Sequence, residues 1–64
     1  MDEAAIQEIL NKLAKGELTE HHVKKIDFIH FRNVLVKRND FKHFRGIALR
    51  GGEVLYRYME AARS

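Results

Sequence analysis

The chain has no cysteine, no proline and no tryptophan, and its only serine is Ser64. Without cysteine there is no disulfide to staple the fold, and every zinc site built on thiolates is excluded. A cysteine-free chain suits a reducing compartment. Without proline, boundaries between elements have to be read from Gly, Asn, Asp and Thr. Long apolar runs are also missing. None exceeds the length of Val34-Leu35-Val36, far short of the roughly 20 residues that cross a bilayer, so no membrane partner is expected. The opening residues Met1–Leu10 are acidic and helix-forming rather than basic and then apolar, which gives no secretory signal and an expected cytoplasmic location.

Size adds a second constraint. A chain of 64 residues has room for one small domain, spanning residues 1–64, and buries only about 60% of the surface its unfolded form exposes. Core burial and chain entropy then nearly cancel. With disulfides ruled out, self-association as a homodimer is the expected supplement.

The charge that is present is unevenly placed. Residues 1–20 carry two lysines and five acids, a net of −3. Residues 21–50 carry eight Lys and Arg against Asp27 and Asp40, a net of +6, and the last fourteen residues balance to zero. A basic middle attracts nucleic acid, an acidic protein or the chain's own acidic first segment.

Periodicity suggests helices. Ile6, Ile9, Leu10, Leu13 and Ala14 recur at helical spacing, with acids at the start, Lys12 and Lys15 near the end, and Gly16 to terminate. This predicts a helix over 2–15. Thr19 offers a cap for a second helix over 20–37, carried by Val23, Ile26, Phe28, Ile29, Phe31, Val34 and Leu35. Asn39-Asp40 is the next turn, with Phe41, Phe44 and Ala48 as the stripe of a third helix over 40–50. Val54, Leu55, Tyr58, Met59 and Ala62 suit a fourth over 53–62. The expected fold is therefore an all-α bundle of three to four short helices. The alternative is an α+β fold in which Gly51-Gly52 turns a C-terminal β-hairpin with Val54, Tyr56 and Tyr58 alternating.

A hexapeptide repeats. Asp27-Phe28-Ile29-His30-Phe31-Arg32 returns thirteen residues later as Asp40-Phe41-Lys42-His43-Phe44-Arg45, matching at five of six positions. In the plainer interpretation the aspartate caps a helix, the phenylalanine pair enters the core, and His and Arg face water. In the sharper one, His30, Arg32, His43 and Arg45 form a paired surface that reads anionic groups.

Catalytic chemistry is poorly served. Adjacent His21 and His22 point in different directions on a helix, no histidine has another at i+4, and Glu17 with His21 or Asp27 with His30 gives only two local ligands where zinc needs three or four. Ser64 is terminal, Thr19 serves as a cap, and Gly51-Gly52 lacks phosphate-loop spacing. The expectation is a protein that is not an enzyme and holds no cofactor or metal. Two binding functions remain. The first is a regulatory or adaptor protein docking on another protein through Phe28, Phe31, Tyr56, Tyr58 and Met59. The second is a helix-turn-helix over 27–50 that meets nucleic acid with Arg32, Lys37, Arg38, Lys42, His43, Arg45 and Arg50.

Overall fold

The computed structural model describes residues 2–61. Helix α1 spans Glu3–Lys15. The Asp2 carboxylate accepts from the Ala5 N–H at 2.8 Å, satisfying one of the free donors of the first turn. Gly16 ends the helix in the left-handed conformation (φ 81°), with its N–H turned back to the Leu13 carbonyl. Ile6, Leu10 and Leu13 form the buried stripe.

Beyond α1 the all-α expectation fails. The architecture is α+β: two helices on one face of a three-stranded antiparallel sheet, ordered β1-β3-β2. Strand β1 is His21–Val23, helix α2 is Lys25–Leu35, β2 is Phe44–Ala48 and β3 is Val54–Tyr58. The helix expected over 20–37 therefore starts five residues late. Val23 pairs in register with Val54 and is buried, whereas Ile26 is 88% exposed, so the two do not share one helical face. Thr19 caps nothing. α2 begins behind Lys24, which makes no side-chain cap.

The expected third helix, over 40–50, is a short 3₁₀ turn at Phe41–His43 followed by β2. The Asp40 side chain makes no capping hydrogen bond there. The expected fourth helix is β3, with Met59 just beyond it; Ala62, which that helix would have included, and Ser64 lie outside the described residues. Of the two readings, the hairpin is the one the C-terminal half adopts. Its tip is Arg50–Gly52, closed by the Leu49 N–H on the Glu53 carbonyl at 2.7 Å. Gly51 and Gly52 both have positive φ (77° and 80°). Inside helices each glycine would cost about 1 kcal/mol relative to alanine, whereas at a hairpin tip the left-handed conformation is what is required.

Register assigns the faces. Phe44 lies opposite Tyr58, Gly46 opposite Tyr56, and Ala48 opposite Val54. Together with His21 and Val23 of β1, these residues point towards the helices, since side chains alternate along a strand. Phe31 is the centre of the core, stacked on Tyr56 with centroids 5.0 Å apart and on half-buried His21 at 5.9 Å. The opposite face of the sheet carries Arg45, Ile47, Leu55, Arg57 and His22. There Glu20 pairs with Arg57 at 2.9 Å, and Glu53 with His22 at 2.6 Å. No helix among the described residues is long and apolar enough to cross a membrane.

Candidate functional site

The inner face of the sheet is covered unevenly. The helices pack over β1 and β3, whereas the inward positions of β2 beyond Phe44 are Gly46 and Ala48, both exposed. With so little side chain there, a groove of about 390 Å³ opens between α2 and β2. Phe28, Arg32 and Val36 form its helical wall, and Val54 and Tyr56 its floor. Phe41 and Phe44 close the end where the chain enters β2. A Cβ on Gly46 would come within 3.2 Å of both Tyr56 Cε1 and Val54 Cγ1. The missing side chain is thus what leaves this floor open.

Apolar surface continues out of the groove along α2. Ile29 is 63% exposed and Val36 is 42% exposed. They lie seven residues apart, on the same side of the helix as Arg32. Among the described residues no acid lines the groove. Between Phe41 and Gly52 the sequence holds Lys42, Arg45 and Arg50 and no acid at all. Arg32 and Arg45 make no ion pair among the described residues.

β2 is also an edge strand. The Met59 N–H donates to the His43 carbonyl, and the Leu49 N–H to the Glu53 carbonyl, both at 2.7 Å. In an antiparallel pair, hydrogen-bonded and non-hydrogen-bonded positions alternate. His43, Arg45, Ile47 and Leu49 therefore face β3 with their backbone groups, while Gly46 and Ala48 turn N–H and C=O outward. The inward direction of their side chains and the outward direction of their backbone meet along one border, the open side of the groove.

The two sets of residues singled out by sequence disperse in the structure. Of the protein-binding set, Phe28 and Tyr56 line the groove, Tyr56 being at once a core residue and its floor, while Phe31 belongs to the core. Tyr58 is half-buried against Phe44 and His43, and Met59 is exposed beyond β3. Of the cationic set, Arg38 is committed to the fold. Its Nε and Nη2 donate to the two Asp40 carboxylate oxygens at 2.8 and 3.1 Å, its Nη1 donates to Asn11 Oδ1 and Gln7 Oε1, and its guanidinium lies over the Phe44 ring. These donated hydrogen bonds hold the Asp40 carboxyl below its ordinary value, outweighing the opposing effect of burial. His43 stacks on Tyr58 and its Nδ1 lies 2.8 Å from the Met59 carbonyl.

The remaining cations face apart. Arg32 is on the groove wall, Lys37 and Lys42 flank the turn, Arg45 is on the far face of the sheet and Arg50 is at the hairpin tip. The helix-turn-helix geometry expected over 27–50 is absent because residues 44–48 are a strand. The paired surface of His30, Arg32, His43 and Arg45 does not assemble either. His30 and Arg32 lie about 200° apart around α2, and His43 is stacked away on β3. His21 is half-buried on β1 against Phe31: burial, aided by the neighbouring His22 charge, lowers its pKa. Among the described residues no three His, Asp or Glu side chains gather where they could hold a metal.

Sequence reasoning passed over Gly46, Ala48 and Phe41. Phe41 had a usable signal, since it occupies in the second hexapeptide the place of Phe28 in the first. Gly46 and Ala48 contribute by having little side chain, which shows only once β2 is known to be a strand.

No curated protein and no solved structure matches the chain. A family model described as YkzS-like protein matches residues 3–57. That match takes in both helices and nearly all of the sheet, groove included, and on it the chain belongs to the YkzS-like family.

Proposed function

We propose that this protein is a non-catalytic binding protein that docks on another protein through the groove between α2 and β2. The observation that carries this reading is the coincidence, along one border, of open apolar floor, exposed Ile29 and Val36, and unpaired edge backbone at Gly46 and Ala48. Interfaces bury apolar and aromatic centres with an arginine nearby. Phe28, Tyr56 and Arg32 supply both. Exposed aliphatic residues scattered singly need no explanation; here they extend a groove.

A groove-filling substitution supplies the test. Ala48→Leu places a branched side chain on an exposed inward position, so the fold should survive. In a pull-down from native lysate, proteins retained by the original chain and lost with Ala48→Leu support the reading. Equal retention by both removes the groove as the docking surface.

A further inference from the structure

We infer that the occupant of the groove is an extended segment of a partner protein, alternately apolar and acidic, that adds to the sheet as a fourth strand alongside β2. The inference rests on the docking role proposed above and specifies the shape and charge of what docks.

Shape follows from the backbone. Gly46 and Ala48 present N–H and C=O groups along the open edge of the sheet, and an added strand satisfies them with main-chain hydrogen bonds. A helix laid in the same groove would leave them unpaired and, once water is excluded, costly. Side chains of an added strand alternate in direction. Those on the inner face enter the groove over Tyr56 and against Phe28 and Phe41, in space that Gly46 and Ala48 leave vacant. Those on the opposite face come up beside Arg45 and Ile47.

Charge chooses between candidates of that shape. A second copy pairing β2 with β2 brings another Arg45 and another Arg32, and it has no acid from Phe41 to Gly52 to answer them. Cations on an edge strand are a common device against such self-pairing. The same cations favour an acidic strand. Carboxylates on its outer face meet Arg45, which has no ion-pair partner among the described residues. Apolar residues at the intervening positions fill the groove.

The test uses synthetic ten-residue peptides, with binding read by backbone amide chemical shifts of the isotope-labelled full chain. One alternates valine and glutamate, a second valine and lysine, and a third is the valine–glutamate peptide N-methylated at alternate residues so that one edge cannot pair. A fourth is an acidic amphipathic helix former of equal charge. The valine–glutamate peptide is expected to bind at least tenfold more tightly than the other three and to shift the Gly46 and Ala48 amides. Arg45→Glu should reverse the preference between glutamate and lysine peptides. Ala48→Pro, which removes an outward N–H and no bond to β3, should weaken binding at least fivefold. The N-methylated peptide asks the same question should that variant not fold.

Equal binding of the N-methylated peptide, or preference for the lysine peptide, overturns the inference. If the helix former binds best and shifts the groove amides, strand addition falls while the docking role stands. Concentration-dependent dimerisation abolished by Ala48→Pro would make a second copy the occupant and overturn the inference too. Duplex DNA shifting the same amides more strongly than any peptide would overturn both.

Discussion

The segments 27–32 and 40–45 share five of six residues and adopt different backbones. The first is wholly inside α2, whereas the second is a 3₁₀ turn running into an edge strand. Side-chain roles nevertheless correspond. The second phenylalanine of each, Phe31 and Phe44, is buried to within 1%. The first of each, Phe28 and Phe41, is half-buried on the rim of the same groove. Residues three apart share a side in an α-helix and eclipse in a 3₁₀ turn, so one spacing serves two conformations. What differs is the context. After Arg32 the chain offers Asn33-Val34-Leu35 and the helical stripe goes on. After Arg45 it offers Gly46, a β-branched Ile47 and a glycine-tipped hairpin. The aspartates part company in the same way: Asp27 sits in the first turn of a helix, while Asp40 is clamped by Arg38.

The largest effects should follow the phenylalanines. Phe31→Ala and Phe44→Ala are each expected to cost about 3–5 kcal/mol by loss of transfer energy and creation of a cavity, enough to unfold much of so small a protein. Phe28→Ala and Phe41→Ala should each cost about 1–2 kcal/mol because those rings are only partly removed from water. Urea denaturation of the four variants measures the contrast. A Phe41→Ala variant as damaged as Phe44→Ala would show that the second segment uses both rings as core, and the correspondence would end.

A smaller effect should separate the aspartates. Asp40→Asn removes the carboxylate that receives two hydrogen bonds from the mostly buried Arg38 guanidinium; hydrogen bonds to charged groups are worth about 1.5–3 kcal/mol. Asp27→Asn gives up a favourable position near a helix N-terminus, worth about 0.5 kcal/mol. Because the folded-state pKa of Asp40 is lowered, its contribution is present above the ordinary carboxylate value and is lost as pH falls through the lowered one. The stability gap between the original chain and Asp40→Asn should therefore close on acidification, and thermal melts from pH 7 to pH 3 would detect it. A gap independent of pH would mean that the asparagine costs through packing rather than through charge.

How much of this was legible depends on the range of the forces involved. α1 could be read because its cap, its stripe and its terminating Gly16 are all local. β1 could not: three residues of strand have no periodicity of their own, and their partner, β3, lies more than thirty residues along the chain. In the stretch 20–37 helical spacing overran a strand because Val23 and Ile26 look alike in sequence, and only pairing with Val54 tells them apart. The hairpin was visible as an alternative in Gly51-Gly52 and in the alternation of Val54, Tyr56 and Tyr58, yet the helix propensity of residues 59–63 outweighed it in the reading. Phe28 and Arg32 were flagged as binding residues, and both stand on the groove. Arg38 was flagged too, but its side chain is spent on Asp40, Gln7 and Asn11, a long-range arrangement that charge counting does not reveal.

The smallest effect concerns the histidine that stacks on the first segment. His21 lies against Phe31 with ring planes 16° apart, and burial, reinforced by His22, lowers its pKa. Below the ordinary histidine value of about 6.5 the unfolded chain then binds a proton that the folded one resists. Stability must rise with pH across that window and decline as pH falls through it. His21→Phe keeps an aromatic ring against Phe31 and removes the titration. The difference in urea midpoint between His21→Phe and the original chain should accordingly widen in favour of the variant between pH 7.5 and pH 5. The corresponding stack in the second half, His43 on Tyr58, is a control, since His43→Phe leaves His21 free to titrate and should retain the acid-dependent loss. Parallel pH profiles for His21→Phe and the original chain would show that the His21 ring is more open to water than its position between Phe31 and the sheet implies.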